Sequence, residues 1–322
     1  MPETKSEEVH VPEDFKTLKE AYARIEQSNG ALTTIVLGPG DHVVEESTDE
    51  RGRKVNYLEI KCPVNIVGSR DVLDKSKIVV VGGFHITANG VHVEHLTICH
   101  KARYGSGVYG NYSFTLKDLT IENCGGWGVY SNGSGASVTC CDVVIRNCEM
   151  NGVISLPRDN VVKCYNVKIS DCKMSGVLAH LGGTIILKGE NTLITNNCLK
   201  GRSDDYGLNV GGSSSKINIV LPLTKEAISK GNNGGGNWKT DFDPWDGKLE
   251  DNIKEIKEKD DNDETTFKCG GGKCRRRKKQ FRKTKTKRKK KSKRRRKTRK
   301  SKKRHKKRRK SKKRRKTKKN NL

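Results

Sequence analysis

Three stretches of the chain, Asp118-Leu-Thr-Ile-Glu-Asn-Cys124, Asp142-Val-Val-Ile-Arg-Asn-Cys148 and Asn166-Val-Lys-Ile-Ser-Asp-Cys172, repeat one pattern with a strict period of two dozen residues. Each is followed at the same distance by Gly-Val, at Gly128-Val129, Gly152-Val153 and Gly176-Val177. A strand, a turn and a second strand therefore recur in register. A fixed period in the twenties carried by β-branched residues is the signature of a solenoid, whose units bury their apolar faces only by stacking on one another. This constrains architecture far more than chemistry, because a repeat scaffold takes its activity from what decorates it.

The triplets Leu96-Thr-Ile98, Leu119-Thr-Ile121, Val143-Val-Ile145, Val167-Lys-Ile169 and Thr192-Leu-Ile194 recur at nearly equal intervals, each within one position of that period, which predicts five successive coils. Parallel strands lie roughly 4.8 Å apart, so equivalent residues form ladders. Asn123, Asn147 and Asp171 fall at one corner, where an amide or carboxylate tolerates unusual backbone angles. Cys124, Cys148 and Cys172 stand beside them. Parallel in-register thiols point alike rather than at each other, so they read as buried small hydrophobes rather than disulfide partners. Ser131, Ser155 and Ala179 make a third, inward stack.

Upstream, Thr17-Leu-Lys-Glu20 is a capping box, and Phe15, Leu18, Tyr22 and Ile25 then share one side of a short helix. Strands are predicted at 34–37, 57–60, 64–67, 77–81 and 91–98. Together Thr17-Leu-Lys-Glu-Ala21, Thr34-Ile-Val-Leu-Gly-Pro-Gly-Asp41, Val64-Asn-Ile-Val-Gly68, Gly82-Gly-Phe-His-Ile86 and Val91-His-Val-Glu-His-Leu-Thr-Ile98 resemble the opening coils of pectin-lyase-like right-handed parallel β-helix proteins. The resemblance covers about residues 10–220. It is nearest to the "right-handed β-helix region" proteins of large DNA viruses and algae, which share an ending similar to Leu221-Pro-Leu-Thr-Lys-Glu226 and Asn232-Asn-Gly-Gly-Gly-Asn237. It implies an all-β, right-handed parallel β-helix of about 8 coils.

The expected organisation is a segment with a capping helix over 1–30, the β-helix over 31–235, an acidic, glycine-containing linker over 236–272 with a short helix around Ile253, and a disordered Lys/Arg-rich tail over 273–322. The formal charge of +30 conceals this segregation. Of 67 Lys and Arg, 36 fall within the last 50 residues, which hold no Asp or Glu, leaving 31 against 37 acidic residues in the rest. No stretch approaches the roughly 18 apolar residues that span a bilayer. The opening residues show no secretory signal, and 11 cysteines without one point to an intracellular, reducing compartment.

Enzymes of the resembled family act on polysaccharides in a groove outside one sheet, using carboxylates on adjacent coils. Alternation places Val129, Val153 and Val177 inward. The outward stripe is then Tyr109, Tyr130, Ile154 and Leu178, ending at Asn209, and it offers a partner or glycan surface unless a neighbouring loop covers it. None of these is a carboxylate, whereas acid–base catalysis needs paired ionisable groups. Asp204-Asp205 resembles the paired aspartates of polygalacturonase-like enzymes, but the accompanying Gly-His-Gly and Arg-Ile-Lys motifs are absent, so the pair reads as a solvated turn ahead of Gly207. Arg158-Asp159, after Pro157, is a candidate loop site, but it reads first as an exposed turn with an ion pair of little energetic value. His92, His95, Cys99 and His100 invite a metal reading, yet positions 92 and 95 of a strand face opposite ways. Cys269, Cys274 and His305 fall short of the four ligands zinc prefers. No metal and no cofactor is expected.

The tail is the strongest partner signal. Arg275, Arg276, Arg277, Lys289, Lys290, Arg294, Arg295, Arg296, Lys306, Lys307, Arg308, Arg309, Arg314 and Arg315 stand in like-charged clusters spaced within the Debye length of about 8 Å. If only about ten of these charges met phosphates, affinity would fall with a log–log salt slope of about −9. Base reading needs positioned side chains, and Phe281 is the tail's one aromatic. The expected partner is DNA or RNA bound without sequence preference, in a nucleus or a virion.

Overall fold

The computed structural model describes residues 7–48, 54–212, 214–239, 241–242, 249–250 and 252–257. The chain divides into two units, Met1–Cys269 and Gly270–Leu322. The basic tail, with Cys269, Cys274 and His305, lies outside the described residues.

The protein is all-β and built on two long parallel sheets, one of 16 strands and one of eight. Two small antiparallel pairs accompany them, Ser47–Thr48 with Lys54–Val55 and Asp241–Phe242 with Leu249–Glu250. The sequence repeat appears as strand register. Ile98 pairs with Ile121, Ile121 with Ile145, Ile145 with Ile169 and Ile169 with Ile194. These five isoleucines are fully buried, each contributing roughly 1.5–3 kcal/mol relative to exposure.

Within a strand, the alternation of buried and outward residues slips by one position at a single residue. In Phe114–Glu122 the buried set is Phe114 and Leu116, then Leu119 and Ile121. The slip falls at Asp118, whose φ is +48°. His95, Asp142 and Asn166 hold the same corner with φ of +56°, +54° and +53°. A second corner holds Asn123, Asn147, Asp171 and Asn196 with φ between +52° and +58°. Asn and Asp populate this left-handed region more readily than other side-chain-bearing residues, so the polar residue preceding each cysteine is a backbone requirement, as expected.

The repeated glycine has a different cause. A Cβ on Gly152 would collide with Ile169 Cγ2 and lie 2.7 Å from the Gly176 carbonyl oxygen, and Gly128 and Gly176 are confined in the same way. The chain passes so close to the next isoleucine that no side chain fits.

At one end, Thr17 accepts from the Glu20 amide while the Glu20 side chain accepts from the Thr17 amide, completing the capping box of the helix Leu18–Gln27. The helix buries Leu18, Ala21, Tyr22 and Ile25 and lies against Glu8–Val11 and Thr34–Leu37.

Two boundaries differ from expectation. Glu8–Val11 is already a strand of the larger sheet, paired in parallel with Thr34–Leu37, so the sheet begins well before residue 31. Ile253–Ile256, expected in a linker and as a short helix, pairs in parallel with Ile217–Val220, and Gly236–Trp238 extends the eight-stranded sheet. The three-residue spacing of Ile253 and Ile256 suits a helix, but the open edge of Lys216–Val220 supplies ladder partners and buries Ile253. Among the described residues no helix is long and apolar enough to cross a membrane.

Candidate functional site

The outward column of the eight-stranded sheet runs in register from Glu59 through His85, Tyr109, Tyr130, Ile154 and Leu178 to Asn209. Inward partners Val129, Val153 and Val177 are fully buried, as are Ser131, Ser155 and Ala179. The expected stripe is therefore a true column, lengthened by His85 and Glu59. His85 lies one full period before Tyr109, so the repeat itself supplied the signal that finds it.

The column is not one open face. Tyr109, Tyr130 and Leu178 are half-buried, whereas Ile154 and Asn209 are only 5% and 7% exposed. The rings occupy one another's faces. His85 stacks on Tyr109 at 4.7 Å with planes 8° apart, Tyr109 on Tyr130 at 5.0 Å, and Trp127 leans on Tyr130 at 4.8 Å. Ring spacing is set by strand spacing, so what remains for a partner is mainly edges and hydroxyls. Burial lowers the His85 pKa from its ordinary value and raises that of Tyr130, favouring the uncharged form of both rings. The one carboxylate in register, Glu59, is paired with Lys61 at 2.9 Å.

Asp205 corrects an expectation. The residue is 4% exposed rather than part of a solvated turn. Its Oδ1 accepts from Ser175 Oγ at 3.2 Å, and Ser175 Oγ accepts in turn from Asn209 Nδ2 at 2.9 Å and the Tyr206 amide at 3.1 Å. Burial, joined by the charge of Asp204, raises the Asp205 pKa. Asp204 itself is exposed, and its carbonyl accepts from Asn209 Nδ2. The two aspartates thus face different environments and do not form a pair open to a substrate. Arg158 and Asp159 lie in an exposed turn with Asp159 at φ +65°, and among the described ion pairs none joins them. The turn is as expected; the pair is not.

The histidines do not converge. His92 Nε2 meets Glu94 Oε2 at 2.8 Å. His95 sits at the left-handed corner rather than on a plain strand, which is why the opposite-face argument does not describe it. His100 donates from Nδ1 to the Ser106 carbonyl and is buried against Tyr57. Among the described residues no group of three His, Cys, Asp or Glu is arranged to hold a metal ion.

The cysteine ladder is a column of buried free thiols. Cys124, Cys148 and Cys172 each donate to the carbonyl two residues earlier, those of Glu122, Arg146 and Ser170. Neighbouring thiols and burial push the Cys148 pKa well up, so that thiol is a poor nucleophile. The ladder continues where the sequence shows no cysteine. Cross-rung hydrogen bonds from Gly125 to His100, Glu149 to Cys124, Lys173 to Cys148 and Asn233 to Asn197 place His100 at its start and Asn197 and Asn232 at its end. The polar ending has a signal in sequence, since Asn196-Asn197 and Gly231-Asn232 stand where Asn-Cys stands earlier.

Comparison of the chain with protein-family models, with curated proteins and with solved structures finds no match.

Proposed function

We propose that the body is a right-handed parallel β-helix that acts as a non-enzymatic scaffold or binding module, and that the polycationic tail tethers it without sequence preference to DNA or RNA, in a virion or a nucleoprotein assembly of the nucleus. The eight in-register strands of the second sheet and the left-handed corners recurring at near-constant intervals support the coil reading. The observation that carries the tether is charge segregation: 36 of 67 basic residues lie in the last 50, with no acidic residue among them. Such a segment gains affinity for a polyanion mainly by releasing condensed counterions. A titration of full-length protein and of a truncation at Gly272 on DNA and RNA, at about 50 and 200 mM salt, tests it. Strong, steeply salt-dependent binding by the full chain alone supports the tether; equal binding by both ends it.

The enclosed carboxyl of Asp205 favours a second reading, a polysaccharide lyase or hydrolase whose tail serves localisation, because a carboxyl with a raised pKa suits a general acid. Against it stands the absence of a second carboxylate on the described stripe beyond the paired Glu59. Turnover of polygalacturonate or alginate by the body, abolished by Asp204→Asn or Asp205→Asn, would establish it.

A further inference from the structure

One corner of the larger sheet departs from the rest. Val67 pairs with Glu94 and Val79 with Thr97, so a step of three residues in Val91–Cys99 corresponds to twelve in the preceding repeat. The nine extra residues, 69–77, leave the sheet between Asn65–Gly68 and Ile78–Val81. Insertions in repeat proteins gather where the scaffold meets partners. This one walls a cavity of about 170 Å³ lined by Val67, Gly68, Arg70, Leu73, Glu94 and His95. Leu73 is 92% exposed, and only Val72 of the insertion packs on the core.

The Ser69 amide donates to the Leu37 carbonyl at 2.8 Å where the insertion leaves the sheet, and three further polar contacts hold the rest of it down. Lys75 Nζ meets Asp118 Oδ1 at 2.7 Å, Thr97 Oγ1 donates to the Lys75 carbonyl at 3.1 Å, and His95 Nε2 donates to the Val72 carbonyl at 2.7 Å. The other ring nitrogen of His95 faces Asp118 Oδ2 at 2.6 Å. A carbonyl and an ionised carboxylate both only accept, so the two contacts are hydrogen bonds together only when both ring nitrogens carry protons, as in an imidazolium. The corresponding corners downstream hold Asp118, Asp142 and Asn166, so a titratable cation at this corner is particular to the repeat beside the insertion.

We propose that residues 69–77 form a pH-released strap: protonated His95, bridging Asp118 and Val72, seats the strap beside the cavity, and loss of that proton frees it. A neutral ring donates from one nitrogen only, so either Val72 or Asp118 then meets a lone pair at hydrogen-bond distance. The charged groups around His95 are His92 and Glu94 on its own strand, Lys117 and Asp118 on Phe114–Glu122, and Arg70, Asp71, Asp74, Lys75 and Lys77 on the strap. Glu94 is neutralised by Lys117 at 2.7 Å and also meets His92 at 2.8 Å, which leaves Asp118 as the main support of the imidazolium and Lys75 as the main opposing charge. Burial acts against the charged ring, but the hydrogen bonds to Val72 and Asp118 and the Asp118 charge outweigh it, raising the His95 pKa above its ordinary 6.5. The tie is therefore complete below about pH 6.5 and is lost as pH climbs through the raised value.

Hydrogen–deuterium exchange on the full chain at pH 6 and pH 9, corrected for intrinsic rates, reads the strap directly. Protection of residues 69–77 should fall about tenfold between the two, the scale of one lost hydrogen bond to a charged group, while the helix 18–27 stays constant. His95→Asn keeps a residue suited to the left-handed corner and should exchange at the high-pH level throughout. Asp118→Asn, matching Asn166 downstream, should move the step to lower pH. Nitrogen-15 spectra of the wild type should show both His95 ring nitrogens protonated at pH 6. An unchanged wild-type strap, a step that survives His95→Asn or stays in place in Asp118→Asn, or a neutral His95 at pH 6 would overturn the proposal.

Discussion

The middle and the end of one interior column solve the same problem with different chemistry. Cys124, Cys148 and Cys172 fill their rungs with thiols that donate to a carbonyl two residues back. Asn197 makes the same local bond, to Thr195, and also donates to the Ile169 carbonyl and Asn232 Oδ1 while its Oδ1 accepts from the Cys172 amide. Asn232 repeats the pattern, bonding the Ile194 carbonyl, Ser229 and Asn237. The change coincides with a break in the period. Ile154 and Leu178 are register partners one regular repeat apart, whereas the chain between the register partners Leu178 and Asn209 is longer by several residues. Where successive repeats are alike, a thiol serves as volume. Where a longer excursion disturbs the backbone, the side chain must satisfy groups left without ladder partners, since a buried amide or carbonyl without one costs about 1–3 kcal/mol.

Replacing Asn197 by leucine strands several of those groups at once and should lose about 4 kcal/mol or more in urea unfolding. A loss below about 1 kcal/mol would mean that the amide rungs are volume too. In the thiol region the glycine column should be the sensitive element. Gly152→Ala forces a shift of Ile169 and the neighbouring backbone, an expected loss of about 2–3 kcal/mol, measured by the same unfolding curve; an unaffected midpoint would show that the close approach relaxes. Cys148→Ala removes only a sulfur and should cost about 1 kcal/mol. Its thiol, with raised pKa and no exposure, should resist a disulfide reagent at pH 8 until the protein unfolds. Labelling in the native state would contradict the volume role.

The smallest effect concerns Asp205, beside the irregular end. Burial raises its folded pKa above the ordinary 3.8, so its contribution is complete below that value and declines as pH rises through the folded pKa. Wild type should lose stability from pH 4 to pH 8 relative to Asp205→Asn. Parallel pH profiles of the two proteins would show that the carboxyl is solvated after all.

Much of this was legible because the repeat writes its geometry into residue types. Asn123, Asn147 and Asp171 announced left-handed corners, and the capping box at Thr17 and Glu20 announced the helix. The stripe was legible as an alternation, but its character was not: that Tyr109 and Tyr130 spend their faces on each other depends on rotamers and strand spacing. The enclosure of Asp205 is not legible in sequence for a related reason. Two adjacent aspartates look alike in sequence, and only the fold of 199–205 over Ser175 and Asn209 separates a solvated carboxyl from an enclosed one.

The period and the register of the repeated strands are written in the amino-acid sequence, because a strict recurrence of β-branched residues, glycine and corner amides puts equivalent apolar residues on one buried face. Tertiary structure alone decided where the sheets begin and end, as at Glu8–Val11 and Ile253–Ile256, and which polar groups meet, as with His95, Asp118 and Val72. Edge pairing and contacts across repeats depend on which neighbours the folded chain supplies, and no local pattern encodes that.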